Sequence, residues 1–188
     1  MIRFENVSFG YRPRQSVVDD LSLEIRPGDR ICLTGPSGCG KTTVLRLLMG
    51  LEKPRRGQIT GTEGLRFSAV FQEDRLIPGR TVLENAVLFA EESAARAVLE
   101  RLGLGEMLNS LPGELSGGQR RRAALGRALA HRFDVLVLDE ALTGLDPAAT
   151  EQCLALIHET VGDKPLVMVT HDGAHARRLG ARPVEWKP

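Results

Sequence analysis

A chain of 188 residues with 42% apolar and 26% charged residues has the composition of a globular protein with one substantial core, and excludes a disordered or fibrous chain. At this length folding buries roughly 70% of the surface that the unfolded chain exposes. The net charge of +1 gives no whole-molecule reason to expect nucleic acid as a partner.

The first thirty residues read as short strands joined by turns. Ile2-Arg3-Phe4-Glu5 alternates, and so does Leu21-Ser22-Leu23-Glu24-Ile25 before the turn Pro27-Gly28-Asp29. Arg30 to Thr34 then runs into a glycine loop, followed by a helix from Lys41 to Met49 that Gly50 stops. After a short strand, Phe67 to Phe71, the middle of the chain is more helical. Thr81-Val82-Leu83-Glu84 is a capping box that opens one helix. Ser93 opens the next, with Val98, Leu99 and Leu102 on one face and Gly103 as its stop.

Beyond the loop at Leu111-Pro112-Gly113 lies Leu115-Ser116-Gly117-Gly118-Gln119, with a helical run to Ala130. Val135 to Leu138 and Leu166 to Val169 are continuous apolar runs, as expected of central parallel strands buried on both faces. With a helix from Ala148 to Thr160 between them they form a βαβ unit, so the fold class is α/β with a mostly parallel sheet.

Cys32, Cys39 and Cys153 are odd in number and lack metal-type spacing, which argues for a reducing compartment. No apolar run reaches the length of a membrane span; Val44 to Leu51 is broken by Arg46. Met1 to Glu5 lacks the apolar core of a signal peptide, so a soluble, cytoplasmic chain is expected. The basic clusters Arg12–Arg14, Lys53–Arg56 and Arg120–Arg122 are expected to be solvated surface.

Gly35-Pro36-Ser37-Gly38-Cys39-Gly40-Lys41-Thr42 fits the phosphate-loop pattern G-x-x-x-x-G-K-[ST], between a strand and a helix as that pattern requires. Its glycines let backbone N–H groups wrap phosphates, Lys41 brings a positive charge to the β and γ groups, and Thr42 offers a hydroxyl to Mg²⁺. Cys39 inside the loop is read as a small residue that packs.

Asp139 and Glu140 end an apolar strand, at the sheet edge where open parallel sheets bind ligands. One acid there can reach Mg²⁺ and its neighbour can polarise an attacking water. His171 follows the other apolar strand in the same way and can hydrogen-bond a γ-phosphate. Ser116 and Gln119 stand in capping-box spacing, while Gly117 and Gly118 leave the first helical turn without side chains. That helix start offers free N–H groups and a positive dipole end to an anion.

Together these motifs resemble the ATP-binding subunit of an ABC (ATP-binding cassette) transporter, from Tyr11 to His171. They include Gln72 after a short strand, the Leu-Ser-Gly-Gly-Gln signature and the Leu145-Asp146 turn. The resemblance implies a phosphate-loop NTPase (RecA-like) core with a small antiparallel edge. A helical subdomain, about 73–131, would be inserted into a core formed by 1–72 and 132–188 of one domain. It further implies ATP and Mg²⁺ as ligands, with Tyr11 stacking on adenine and Gly35 to Lys41, Thr42 and Thr43 holding the phosphates. Thr42, Gln72 and Asp139 would serve the metal, Glu140 would be the general base, and Lys41, Gln72 and His171 would complete the catalytic set. Ser116, Gly117, Gly118 and Gln119 would act on ATP held by a second subunit, identical or different, with Asp146 at the dimer interface.

Integral membrane subunits, and an extracytoplasmic solute-binding protein for an importer, would be the other partners. The chain would then sit on the cytoplasmic face of the cell membrane. Phe71-Gln72-Glu73-Asp74-Arg75-Leu76 with Pro78 and Thr81 to Asn85 looks most like nitrate, sulfonate and taurine importers. An ABC-type ATPase of DNA repair or translation is the alternative, though this chain has neither their long coiled coils nor a second cassette. A clamp that binds ATP without hydrolysing it is disfavoured by the presence of Glu140 and His171. Three departures from the family stand out: a short stretch between Gly57 and Phe71, only seventeen residues after His171, and Ala141 where proline is common.

Overall fold

A computed structural model describes residues 1–13 and 15–186. The chain divides into two compact units, the first made of Met1–Phe67, Asp134–Asp139 and Asp163–Pro188, the second of Ser68–Phe133 and Glu140–Gly162.

The first unit begins with an antiparallel sheet in the order β2-β1-β4, from β1 (Ile2–Phe9), β2 (Val18–Ile25) and β4 (Arg56–Thr60). Alternation puts Ile2 and Phe4, and after a register shift Val7 and Phe9, on the buried face of β1, and the register pairs Ile2 with Ile25 and Phe4 with Leu23. The register shifts between Phe4 and Val7, where Asn6 (φ 49°) and Asp20 on β2 (φ 51°) both take the left-handed conformation. Asn6 Nδ2 donates to Asp20 Oδ1 at 2.8 Å. Short polar side chains are those that tolerate this backbone at a bulge.

The first unit's second sheet is built from β3 (Arg30–Thr34), β6 (Val135–Asp139), β7 (Leu166–Val169) and β8 (Arg182–Glu185), paired in parallel in the order β6-β7-β3-β8, and the chain passes into the second unit along β5 (Phe67–Val70). All five residues of β6, the closing Asp139 included, and all four of β7 are buried, which is why Val135 to Leu138 and Leu166 to Val169 read as unbroken apolar runs. The register aligns Ile31 with Val167, Val137 with Val167 and Asp139 with Val169. Helix α1 (Lys41–Leu48) packs Val44, Leu45, Leu47 and Leu48 inward. A helix of six residues, Gly173–Arg178, precedes β8.

The second unit is helical: α2 (Val82–Ala86), α3 (Glu92–Arg101), α4 (Gly117–Ala130) and α5 (Pro147–Val161). The capping box at Thr81 forms in full. Helix α3 starts at Glu92, one residue before the predicted Ser93, after Glu91, whose side chain makes no capping bond. Its buried face is Ala95, Leu99 and Leu102, with Val98 only half-buried. Gly126 lets α3 and α4 meet closely, since a Cβ there would lie 2.6 Å from Leu99 Cδ2. The buried Asn85 holds the approach to α2 by accepting from Ile77 N–H at 2.8 Å and donating to the carbonyls of Ile77, Arg80 and Thr81. Arg101 and Glu159 join α3 to α5 through two contacts.

Candidate active site

The sheet edge of the first unit brings together the phosphate loop, Tyr11, Asp139 and His171. Gly40 is the residue before α1, and its φ of 99°, with 77° at Gly38, belongs to the left-handed region that favours glycine. The two glycines differ in their surroundings. A Cβ on Gly40 would stand 2.7 Å from Val17 O, whereas one on Gly38 would meet nothing within 4 Å. Gly38 therefore faces open space, and its backbone is bare to whatever lies over the loop.

Lys41 is buried, and its ammonium donates to the loop's own carbonyls, Gly35 O at 2.9 Å and Pro36 O at 2.8 Å. It is held across the loop mouth, within reach of an anion that replaces those carbonyls. Pro36 and Ser37 are exposed at the crest, Cys39 is packed beneath, and Thr43 is buried in the first turn of α1. Tyr11, 54% exposed, stands beside that turn with its hydroxyl 3.3 Å from Thr43 Oγ1 and its ring edge-on to Phe9. Its outer surface is open, as a stacking platform must be.

Thr42 Oγ1 donates to Asp139 Oδ2 at 2.7 Å. A hydroxyl and a carboxylate side by side at a phosphate loop are the hard oxygen donors that a divalent cation such as Mg²⁺ takes. Among the described residues no group of three or more His, Cys, Asp or Glu forms a cage of its own. An ion at Thr42 and Asp139 would complete its shell with water and phosphate oxygens, the usual arrangement for Mg²⁺. His171 follows β7 by two residues and is exposed.

The second unit holds the remaining predicted residues. Glu140 is buried, with a φ of 53° that is uncommon for a residue bearing a side chain, and Thr143 Oγ1 donates to its Oε2 at 3.0 Å. Asp146 caps α5, accepting from Ala149 N–H at 2.9 Å. At the start of α4, Ser116 N–H donates to Gln119 Oε1 at 2.8 Å and Ser116 Oγ accepts from Gln119 N–H at 3.2 Å, a complete capping box. Gly117 is exposed and Gly118 half-buried, and a Cβ on Gly118 would lie 3.6 Å from Leu145 Cδ2. The helix start and the Leu145-Asp146 turn are therefore neighbours within one unit.

Gln72 is exposed on a loop that α4 braces. Arg121 donates to Phe71 O at 2.8 Å and to Gln72 O, and its Nη1 lies 3.1 Å from Asp74 Oδ1. Arg127 donates to Arg75 O and Asp74 O. Burial lowers the Arg127 pKa, and the Asp74 charge counters part of that shift. Arg75, itself left-handed at φ 48°, stacks its guanidinium 4.1 Å over the Phe71 ring.

These contacts correct the expectation for Arg120–Arg122. The three side chains are half-buried and serve backbone carbonyls, with Arg120 on Leu115 O and Arg122 on Leu102 O. Long charged stems can bury while their heads find acceptors, which composition does not reveal. Arg12, Lys53, Arg55 and Arg56 are exposed as expected; Arg14 lies outside the described residues. Trp186 also escaped the sequence reading. It is buried, and its indole donates to Cys39 O of the phosphate loop at 2.7 Å. The one available signal was a lone tryptophan closing a short, weakly patterned stretch.

The first unit thus carries the phosphate-loop site of a nucleoside triphosphate-binding protein. The second carries a capped, glycine-fronted helix of the kind that receives anions. The chain belongs to the ABC transporter family, which it matches over residues 18–143. It is 40% identical over 191 residues to the aliphatic sulfonates import ATP-binding protein SsuB 1 of Rhodococcus jostii (strain RHA1), covering 97% of this chain and 78% of that one. It is 43% identical over 183 residues to the protein of the same name from Burkholderia cenocepacia (strain HI2424), covering 93% of this chain and 56% of that one. The chain spans about half the length of the Burkholderia protein. Among solved structures it resembles the dimeric post-hydrolysis state of the ATP-binding cassette MJ0796 bound to ADP and Pi. The TM-score is 0.90 at 30% identity, over 100% of this chain and 94% of that one.

Proposed function

We propose that this chain is the ATP-binding and ATP-hydrolysing subunit of an ABC importer for small organic anions of the sulfonate type. The observation that carries the reading is the pairing of Thr42 with Asp139 beneath a phosphate loop whose Gly38 opens onto empty space. The relatives at 40% and 43% identity are both named as import proteins, which favours transport over DNA repair or translation.

The phosphates of ATP lie in the loop from Gly35 to Thr43, and Lys41 turns from the loop carbonyls to the β and γ groups. Tyr11 offers its open face to adenine. Thr42 and Asp139 would hold Mg²⁺, with Gln72 proposed to serve the same ion, and Mg²⁺ would supply positive charge that offsets the charge of the triphosphate. Glu140 takes a proton from the attacking water as its oxygen bonds to the γ-phosphorus, while the bond to the bridging oxygen breaks to leave ADP and inorganic phosphate. The Thr143 hydroxyl donates to Oε2 and holds the buried carboxylate in one orientation. His171 hydrogen-bonds the γ-phosphate.

Ser116, Gly117, Gly118 and Gln119 act on the ATP of a second ATPase subunit, whose own signature acts on the ATP held here, with Asp146 at the interface. Opening and closing of that dimer moves integral membrane subunits at the cytoplasmic face, which pass on solute delivered by an extracytoplasmic binding protein. Tagged chain purified from solubilised membranes is expected to bring down an integral membrane protein. Its recovery with ribosomes or DNA, and with no membrane protein, would refute the transport reading.

A further inference from the structure

We propose that Trp186 is a positioning residue for ATP: a strut beneath the phosphate loop that fixes which way the Cys39–Gly40 peptide faces. The inference rests on the nucleotide-binding role proposed above. Strand β8 pairs in parallel with β3, and the residue after it, Trp186, donates its backbone N–H to Thr34 O at 2.7 Å. The loop therefore leaves β3 in direct contact with Trp186. Gly35 is pressed against it, since a Cβ there would lie 2.4 Å from Trp186 O. From the same residue the indole Nε1–H reaches Cys39 O at 2.7 Å, in a buried hydrogen bond. One residue thus grips both the entry and the far side of the loop.

The consequence follows from peptide geometry. In a trans peptide the carbonyl and the next N–H point in opposite directions, and the Cys39–Gly40 peptide is trans. Anchoring Cys39 O on the buried indole turns the Gly40 N–H away from it, toward the phosphate side of the loop. Without an anchor that peptide can invert by rotation about Cys39 ψ and Gly40 φ, and Gly40, at φ 99°, adds no side-chain barrier on its side. Inversion would aim a carbonyl dipole at a triphosphate and withdraw a donor. A tryptophan N–H is suited to the task because it can donate but not accept.

The chain has a single tryptophan, so indole emission comes from this side chain alone. In the wild-type chain, excitation at the indole is expected to give a saturable change with ATP, ADP and inorganic pyrophosphate, and none with adenosine. Trp186→Phe keeps the ring and removes the donor. It is expected to raise the Kd and KM for ATP about fivefold, the size of one hydrogen bond between neutral groups, with kcat at saturation within about twofold of wild type. Flat wild-type emission while calorimetry registers ATP binding would overturn the strut, and so would unchanged ATP affinity in Trp186→Phe. If that variant does not fold, the wild-type emission decides. If calorimetry finds no ATP binding to the wild-type chain, the functional reading fails and the strut with it.

Discussion

Replacing Arg121 by alanine tests whether the loop that carries Gln72 is held by α4. The guanidinium donates to Phe71 O and Gln72 O and pairs with Asp74, and the two charged side chains are only 12% and 23% exposed. Hydrogen bonds from a charged donor contribute about 1.5–3 kcal/mol each. Two at the lower end come to about 3 kcal/mol. Loss of Arg121 also strands Asp74, whose Oδ1 is buried, although the Arg127 charge offsets part of that cost. We therefore expect about 3 kcal/mol of destabilisation, which at a urea slope of about 2 kcal/mol/M moves the unfolding midpoint by about 1.5 M. A double-mutant cycle with Asp74→Ala should return a coupling of about 1–2 kcal/mol. Turnover should fall as well, because the Gln72 backbone loses its anchor. A midpoint shift under about 0.25 M together with zero coupling would refute the reasoning.

Other expectations follow from the same geometry. Glu140→Gln should retain ATP binding, lose about 100-fold or more in turnover and collect as an ATP-bound dimer; gel filtration that shows only monomer with ATP would count against the mechanism. Ser116→Arg mixed with Lys41→Ala should give dimers with at most one intact site, and full wild-type ATPase activity in the mixture would exclude sites shared between chains. Asp134 receives the Arg66 side chain through Nε and Nη2 and also its backbone N–H, and these bonds hold its pKa down from 3.8 to about 2. A depressed carboxylate pKa gives stability that is present above about pH 4 and lost as the pH falls through about 2. Thermal melts of Arg66→Ala and wild type should differ most above pH 4 and converge toward pH 2; a gap that widens in acid would reverse the assignment.

Strand β3, the capping boxes at Thr81 and Ser116 and the buried strands β6 and β7 were all legible in the sequence. Each is encoded by neighbours along the chain: an unbroken apolar run, or a hydroxyl three residues before a Glu or Gln. What escaped depends on partners far away in sequence. Arg182-Pro183-Val184-Glu185 has a proline and two charges and reads as no strand, yet β8 is an edge strand, where proline is admissible. Arg121 and Trp186 reach across 50 and 147 residues to carbonyls that carry no sequence signature of their own. The phosphate loop could thus be recognised from its glycines, but the parts that hold it and the Gln72 loop in place could not.

The backbone at Glu140 carries a longer-range consequence. A left-handed conformation costs a residue with a Cβ about 1–2 kcal/mol, and glycine escapes most of that. A Glu140→Gly chain would relax the end of β6 while lacking the carboxylate to which the proposed mechanism gives the proton. Selection for heat resistance and selection for turnover therefore pull on this one codon in opposite directions. A thermostability screen run without an activity filter would enrich inert cassettes at position 140.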